Sequence, residues 1–151
     1  MKITKQDILF VVLQFVLIAA YVFEIENLKY SFPESVFWIA VVLLITGAFI
    51  SLVAVLQLHV NLSPFPSPMP GAKLITTGIF KYIRHPIYTG IFLAFFGFSF
   101  LYDSVYKLLI SIVLLLLFYL KSNYEEKQLI KMFPEYRKYA LQTGRFFPKV
   151  F

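Results

Sequence analysis

Long apolar runs separated by short polar stretches dominate this chain. Four runs stand out: about Ile8 to Phe23, Val36 to Val60, Ile87 to Tyr102 and Val105 to Leu120. A helix needs about 20 mainly apolar residues, with a range of roughly 17–25, to cross a bilayer. The second run meets this comfortably. The others are marginal and need tyrosines, lysines or local bilayer thinning at their ends. Lys2 and Lys5 before the first run fit a secretory leader. Tyr21-Val22-Phe23-Glu24 offers no small-residue cleavage site, so that run is expected to stay as a helix. Beyond the fourth run, Lys121 to Tyr139 places charges between Leu129, Ile130, Met132 and Phe133. It reads as an amphipathic helix with a break open at Pro134. Lying on the membrane is its plain use, but Glu125 and Glu126 would be repelled by an anionic leaflet, and the tail is expected to fold back over a site at that face. The pattern predicts an all-α integral membrane protein, a single domain over residues 1–151, with four transmembrane helices and a cytoplasmic C-terminal helical tail.

Composition agrees. Apolar residues make up 60% and charged residues 15%, and mean hydropathy is +0.77. A soluble domain would be near half apolar and about a quarter charged. The chain has no cysteine, which excludes disulfides, thiolate chemistry and cysteine-based metal sites. No metal and no nucleic-acid partner are expected.

The charges set an orientation. Lys2 and Lys5 precede the first run, and Lys73, Lys81 and Arg84 lie between the second and third. Seven Lys and Arg residues follow the fourth: Lys121, Lys127, Lys131, Arg137, Lys138, Arg145 and Lys149. The first loop carries Glu24, Glu26, Lys29 and Glu34, and the very short third connection carries Asp103. Basic residues alternate sides with the runs. The positive-inside rule then puts both termini and the second loop in the cytoplasm. None of the four runs is read as carrying an ionisable residue deep inside, which counts against a small transporter.

The second loop is rich in proline, Ser63-Pro64-Phe65-Pro66-Ser67-Pro68-Met69-Pro70-Gly71. It cannot be helical and favours extended backbone. A stiff spacer along the membrane is preferred over a wall or lid with Phe65 and Met69 facing a ligand. Gln57 and Asn61 share a face at i, i+4, His59 points away, and all three read as interfacial residues.

Two polar clusters remain. Arg84-His85-Pro86 stands at the start of the third run, with Tyr88 and Thr89 one turn on. Proline suits the first turn of a helix, where its missing N–H would be unpaired anyway. The helix start, with its free N–H groups, and the forked Arg84 guanidinium would suit a carboxylate or phosphate. Lipid phosphates are the equally weighted plain use of Arg84, and helix capping that of His85. Glu125-Glu126 follows the fourth run. Neighbouring helical residues point about 100° apart, so one glutamate can enter a pocket while the other supports it. A Lys121–Glu125 pair at i, i+4 competes for Glu125 and is worth only about 0.2–0.5 kcal/mol.

These two clusters lie inside longer motifs. Leu74-Ile75-Thr76-Thr77-Gly78-Ile79-Phe80-Lys81-Tyr82-Ile83-Arg84-His85-Pro86-Ile87-Tyr88-Thr89-Gly90 resembles a signature of the isoprenylcysteine carboxyl methyltransferase family, which is related to phospholipid N-methyltransferases. The second family signature is matched by Glu125-Glu126, Leu129, Phe133, Tyr136, Tyr139 and Arg145-Phe146-Phe147-Pro148. Pro134 replaces the usual glycine, and the segment before Tyr136 is shortened. The resemblance covers roughly the second half of the chain.

It implies S-adenosylmethionine as methyl donor, bound at the cytoplasmic end of the third and fourth helices. Gly78, Tyr82, His85, Pro86, Tyr88, Gly90, Glu126, Tyr136 and Tyr139 are then the expected donor-binding residues. Arg84 is expected to orient the acceptor, and Glu125 to position the reacting centre. The implied acceptor is lipid-associated and enters from the bilayer. An isoprenylated cysteine carboxylate is the family's named acceptor, while another lipid or hydrophobic acid, or an amine, stays open. Membrane sterol reductases share a similar His-Pro-x-Tyr-x-Gly element but typically carry asparagine after the proline and glutamate after the glycine. Ile87 and Ile91 stand there instead, against an NADPH-dependent reductase. A catalytically silent membrane protein is the remaining alternative.

Overall fold

The first apolar run becomes a helix because Thr4 and Asp7 cap one another. The Thr4 hydroxyl accepts from Asp7 N, and the Asp7 carboxylate accepts from Thr4 N. The computed structural model describes residues 3–149, the side chain of Val60 aside; Lys2 lies outside them. Its helices are α1 (Lys5–Val22), α2 (Glu34–Leu58), α3 (Pro86–Leu101), α4 (Val105–Met132) and α5 (Tyr136–Gln142). Three short 3₁₀ turns, Glu26–Leu28, His59–Asn61 and Gly78–Lys81, connect them. No strand occurs among the described residues.

α1, α2 and α4 are each long and apolar enough to cross a membrane. α3 has 16 residues and rises only about 24 Å at 1.5 Å per residue, short of a bilayer core of about 30 Å. Three of the four expected spans therefore meet the length requirement unaided.

The tail differs from the sequence expectation. Lys121 to Tyr139 is not a separate surface helix. α4 runs on without a break through Lys121, Glu125 and Glu126 to Met132, because no proline or glycine interrupts it before Pro134. With 28 residues it rises about 42 Å, well beyond a bilayer core. Its last turns therefore project as a rigid arm that carries both glutamates.

α2 and α3 form the most extensive helix pair. Small residues let them approach, as in other membrane helix pairs. A side chain on Gly90 would meet Ser51 and come within 2.5 Å of the Gly47 carbonyl, and one on Gly47 would come within 2.5 Å of Ala94 N. Gly90→Leu is expected to lower the melting temperature in detergent through overpacking worth about 1–3 kcal/mol. An unchanged melting temperature would contradict this close crossing. α1 packs on α4, where Phe10 and Leu17 meet the buried cluster Leu114, Leu117 and Phe118.

The end of the bundle away from the glutamates is tied by polar groups. Asp103, in the α3–α4 turn with φ +52°, accepts from Tyr30 N and, through its carboxylate, from Phe32 N. Lys107 lies within the fourth apolar run and is buried, which corrects the expectation that the runs lack such residues. It stands in the first turn of α4. Its ammonium caps α1 by donating to the Tyr21 and Phe23 carbonyls and pairs with Glu24 at 3.5 Å. The Ser104 hydroxyl donates to Glu24 and holds its carboxyl below the usual range.

Candidate active site

The segment before α3 is anchored by the chain's end. Arg84 N and His85 N donate to the Gly144 and Arg145 carbonyls, and Gly144 N donates back to the Tyr82 carbonyl. The Thr89 hydroxyl donates to the Phe146 carbonyl at 2.7 Å. The two sequence motifs thus meet as paired backbone, which fixes His85 against the projecting arm of α4.

Glu126 is the knot of that junction. Its Oε1 accepts from Arg84 Nε at 2.9 Å and lies 3.1 Å from His85 Nε2, while its Oε2 accepts from Arg145 Nη2 at 2.9 Å. Arg84 also donates through Nη1 to the Ala140 carbonyl at 2.9 Å and to the Thr143 carbonyl. The Nε and Nη1 donors of Arg84 therefore staple α4, α5 and the tail together. This differs from a guanidinium free to grip an acceptor. The cause is the α5 C-terminus, whose carbonyls lie within its reach.

Glu125 points elsewhere. Its Oε2 accepts from the Tyr88 hydroxyl at 2.8 Å and lies 3.8 Å from His85 Nδ1. The His85 and Tyr88 rings are parallel, with centroids 5.5 Å apart. His85 is the N-cap residue of α3, yet its ring makes no capping bond. It serves the glutamates instead. Pro86 occupies the first helical position, as the sequence predicts.

A cavity of about 360 Å³ opens beside these groups, within the 300–1,000 Å³ usual for small-molecule sites. Arg84, His85, Pro86, Tyr88, Glu125, Tyr136 and Tyr139 all border it. Glu126 stands behind them and holds His85. Besides Glu126, three expected residues do not border it. Gly90 is buried against α2, Gly78 packs on Gln57, and Tyr82 is 57% exposed. Gly78, at φ +60°, suits a turn that only glycine makes cheaply. Gln57 and Asn61 are braces for this loop: Gln57 accepts from Ile79 N, and Asn61 pairs with the Lys73 backbone.

The proline-rich loop is a wall of the cavity and not only a spacer. Leu62 to Met69 line it. The loop is pinned at Ser67, whose backbone N and hydroxyl donate to the buried Asp7 carboxylate at 3.0 and 2.8 Å. Lys121 holds it a second time by donating to the Pro64 carbonyl at 2.9 Å. Sequence reasoning gave Asp7 and Gln14 no role and read Lys121 only as a tail charge and an i, i+4 partner for Glu125. The Thr4-x-x-Asp7 spacing is the one signal that was available, and it marks a helix cap.

A family model for phospholipid methyltransferases matches residues 35–136, well over half of the chain. The chain belongs to the phospholipid methyltransferase family. A comparison with curated proteins gave no match. The match includes nearly all of α2, the whole of α3 and α4 and both glutamates, so every residue that borders the cavity except Gln14 and Tyr139 falls within the methyltransferase homology.

The residues present fit the methyl donor that this family implies. The Tyr136 hydroxyl is buried and has no hydrogen-bond partner among the described residues, and Tyr136 borders the cavity. A buried donor is rarely left unmade, so a ligand atom is its natural partner. Burial raises the Tyr136 phenol far above its ordinary pKa and pushes Tyr139 up to about 12, so both stay neutral at working pH. The Tyr139 hydroxyl is already engaged with the Phe80 carbonyl. Glu125 offers its carboxylate to a cation, and Phe80 and Tyr139 border the same space with aromatic rings that suit a purine.

Proposed function

We propose that the chain transfers a methyl group from S-adenosylmethionine to a lipid-borne nucleophile that reaches the cavity from the bilayer. The observation that carries this reading is one shared cavity bordered by His85, Pro86, Tyr88 and Glu125, four residues inside the region matched to the methyltransferase family. When bound, the donor supplies a methyl on a sulfonium, whose carbon–sulfur bond breaks with its electron pair left on sulfur as the acceptor's lone pair bonds the carbon.

The chain's own residues would orient, desolvate and balance charge. The Tyr136 hydroxyl would bond the donor's polar part. Glu125, held by Tyr88, would face the positive charge at the reacting centre. Orientation of two bound partners carries most of the rate in such a displacement. The wall from Leu62 to Met69 would exclude water.

An amine acceptor is favoured over a carboxylate by one observation. Glu125 borders the cavity as a carboxylate with no arginine on it, whereas the Nε and Nη1 of Arg84 are taken by Glu126 and tail carbonyls. A protonated amine must lose a proton before it attacks, and Glu125 can accept it. Arg84 we assign as a positioning residue that fixes Glu126 and, through it, His85.

Calorimetry of the detergent-solubilised protein with S-adenosylhomocysteine tests the donor. Binding and thermal stabilisation are expected with that ligand and not with NADPH. Stabilisation by NADPH alone would give the site to a reductase.

Orientation is testable because the chain has no cysteine. With the cavity on the cytoplasmic side, Ser31→Cys should label from outside intact cells and Thr76→Cys should not. Both positions are exposed. The reverse pattern would put the site on the other face.

A further inference from the structure

The cavity holds a buried charged group that the chemistry above leaves unused. Lys121 is 1% exposed and borders the cavity. Its ammonium donates to Gln14 Oε1 at 2.6 Å and to the Pro64 carbonyl at 2.9 Å, and lies 5.3 Å from the centre of the Tyr88 ring. An ammonium has three donors, and no partner for the third occurs among the described residues. No carboxylate among the described residues pairs with it. The i, i+4 pair with Glu125 that the sequence suggests is not formed, because Glu125 turns to Tyr88.

A buried charge without a counter-ion is expensive. Neutral groups such as a glutamine amide would hold Gln14 and Pro64 without that penalty. Tyr88 also separates two opposite charges on one wall of the cavity, Lys121 against its ring and Glu125 on its hydroxyl. One turn of α4 lies between them. The wall is thus complementary to a molecule that carries a cationic or reacting centre at one end and an anionic group a few bonds away.

Resting on the methyltransferase reading, we propose that Lys121 is the cavity's anion-binding residue. It would hold a carboxylate or phosphate oxygen of a bound molecule while Glu125 faces the positive or reacting centre. Two sources share that chemistry: the carboxylate of the methyl donor and an acidic headgroup of the lipid acceptor.

The test compares the full-length wild-type protein with Lys121→Met, which keeps length and removes charge, and with Gln14→Leu, which removes only a neutral partner. The first arm is calorimetry with S-adenosylhomocysteine and with its decarboxylated analogue. The second is native mass spectrometry of retained phosphatidic acid against diacylglycerol. If the anion is the donor's, Lys121→Met weakens S-adenosylhomocysteine about ten- to hundredfold and leaves the decarboxylated analogue unchanged. If it is the lipid's, Lys121→Met abolishes the preference for phosphatidic acid and spares S-adenosylhomocysteine. In either case Gln14→Leu should keep the preference for the acidic probe. The proposal is overturned if Lys121→Met matches wild type in both arms. It is equally overturned if that variant weakens acidic and neutral probes alike, as Gln14→Leu then also should, because Lys121 would be only a loop latch. Wild-type protein that binds no S-adenosylhomocysteine would refute the methyltransferase reading instead, and the lipid arm alone would then decide the role of Lys121.

Discussion

Glu126→Ala is expected to destabilise the protein by about 3–5 kcal/mol and to abolish ligand binding. Removing one partner of a buried ion pair strands the others. Here three are stranded at once: Arg84, His85 and Arg145 all bond to Glu126, whose side chain is 12% exposed. For a chain of this size, each kcal/mol lowers the melting temperature by roughly 2–4 °C. A fall of about 10 °C should be visible by thermal shift in detergent. Arg84→Ala should also lower the melting temperature clearly, because its bonds to the Ala140 and Thr143 carbonyls staple α5. An arginine that only orients an acceptor would leave stability unchanged and reduce turnover alone. Unaltered melting of both variants would therefore restore that role to Arg84.

Glu125→Gln should have the opposite signature. It is expected to lower turnover about 100- to 10,000-fold, the usual worth of a positioned acid or base, with little change in melting temperature. Its carboxylate makes one hydroxyl bond, from Tyr88, which the glutamine oxygen can also accept. The amide keeps the size and loses the charge and the basicity. Tyr88→Phe, which frees the carboxylate without removing it, should cost less. Full turnover by Glu125→Gln on the true acceptor would remove Glu125 from the chemistry.

The pair of glutamates illustrates what the sequence could and could not convey. Helical periodicity requires Glu125 and Glu126 to diverge by about 100°, so a split between one pocket residue and one support was legible. Which was which depended on where the chain's end returns. Nothing local in Arg145 or Thr143 announces that they sit beside Arg84. The helices themselves were legible because apolar runs are long and proline marks the start of α3. The continuation of α4 was misread because charge after an apolar run resembles a membrane-surface helix, whereas backbone propensity carries the same helix outward. Lys107 and Lys121 were hidden for a related reason. A lysine at the edge of an apolar run normally snorkels to the interface, and only tertiary packing decides that these two turn inward. The proline-rich wall was ambiguous because extended backbone fits a spacer and a lid equally, and the deciding contacts come from Asp7 and Lys121, far away in sequence.

The most direct measurement of the central claim is transfer of labelled methyl from S-adenosylmethionine into lipid extract by the purified protein, with Glu125→Gln as control. Label should appear in an organic-soluble product with wild type and fall at least a hundredfold with the variant. With an amine acceptor, the label should stay non-volatile in mild base, which releases the methyl of a methyl ester as methanol. Base-labile label would move the acceptor to a carboxylate. No label above background with wild type, across extracts that contain both acidic and amino lipids, would contradict the assignment of this cavity to methyl transfer.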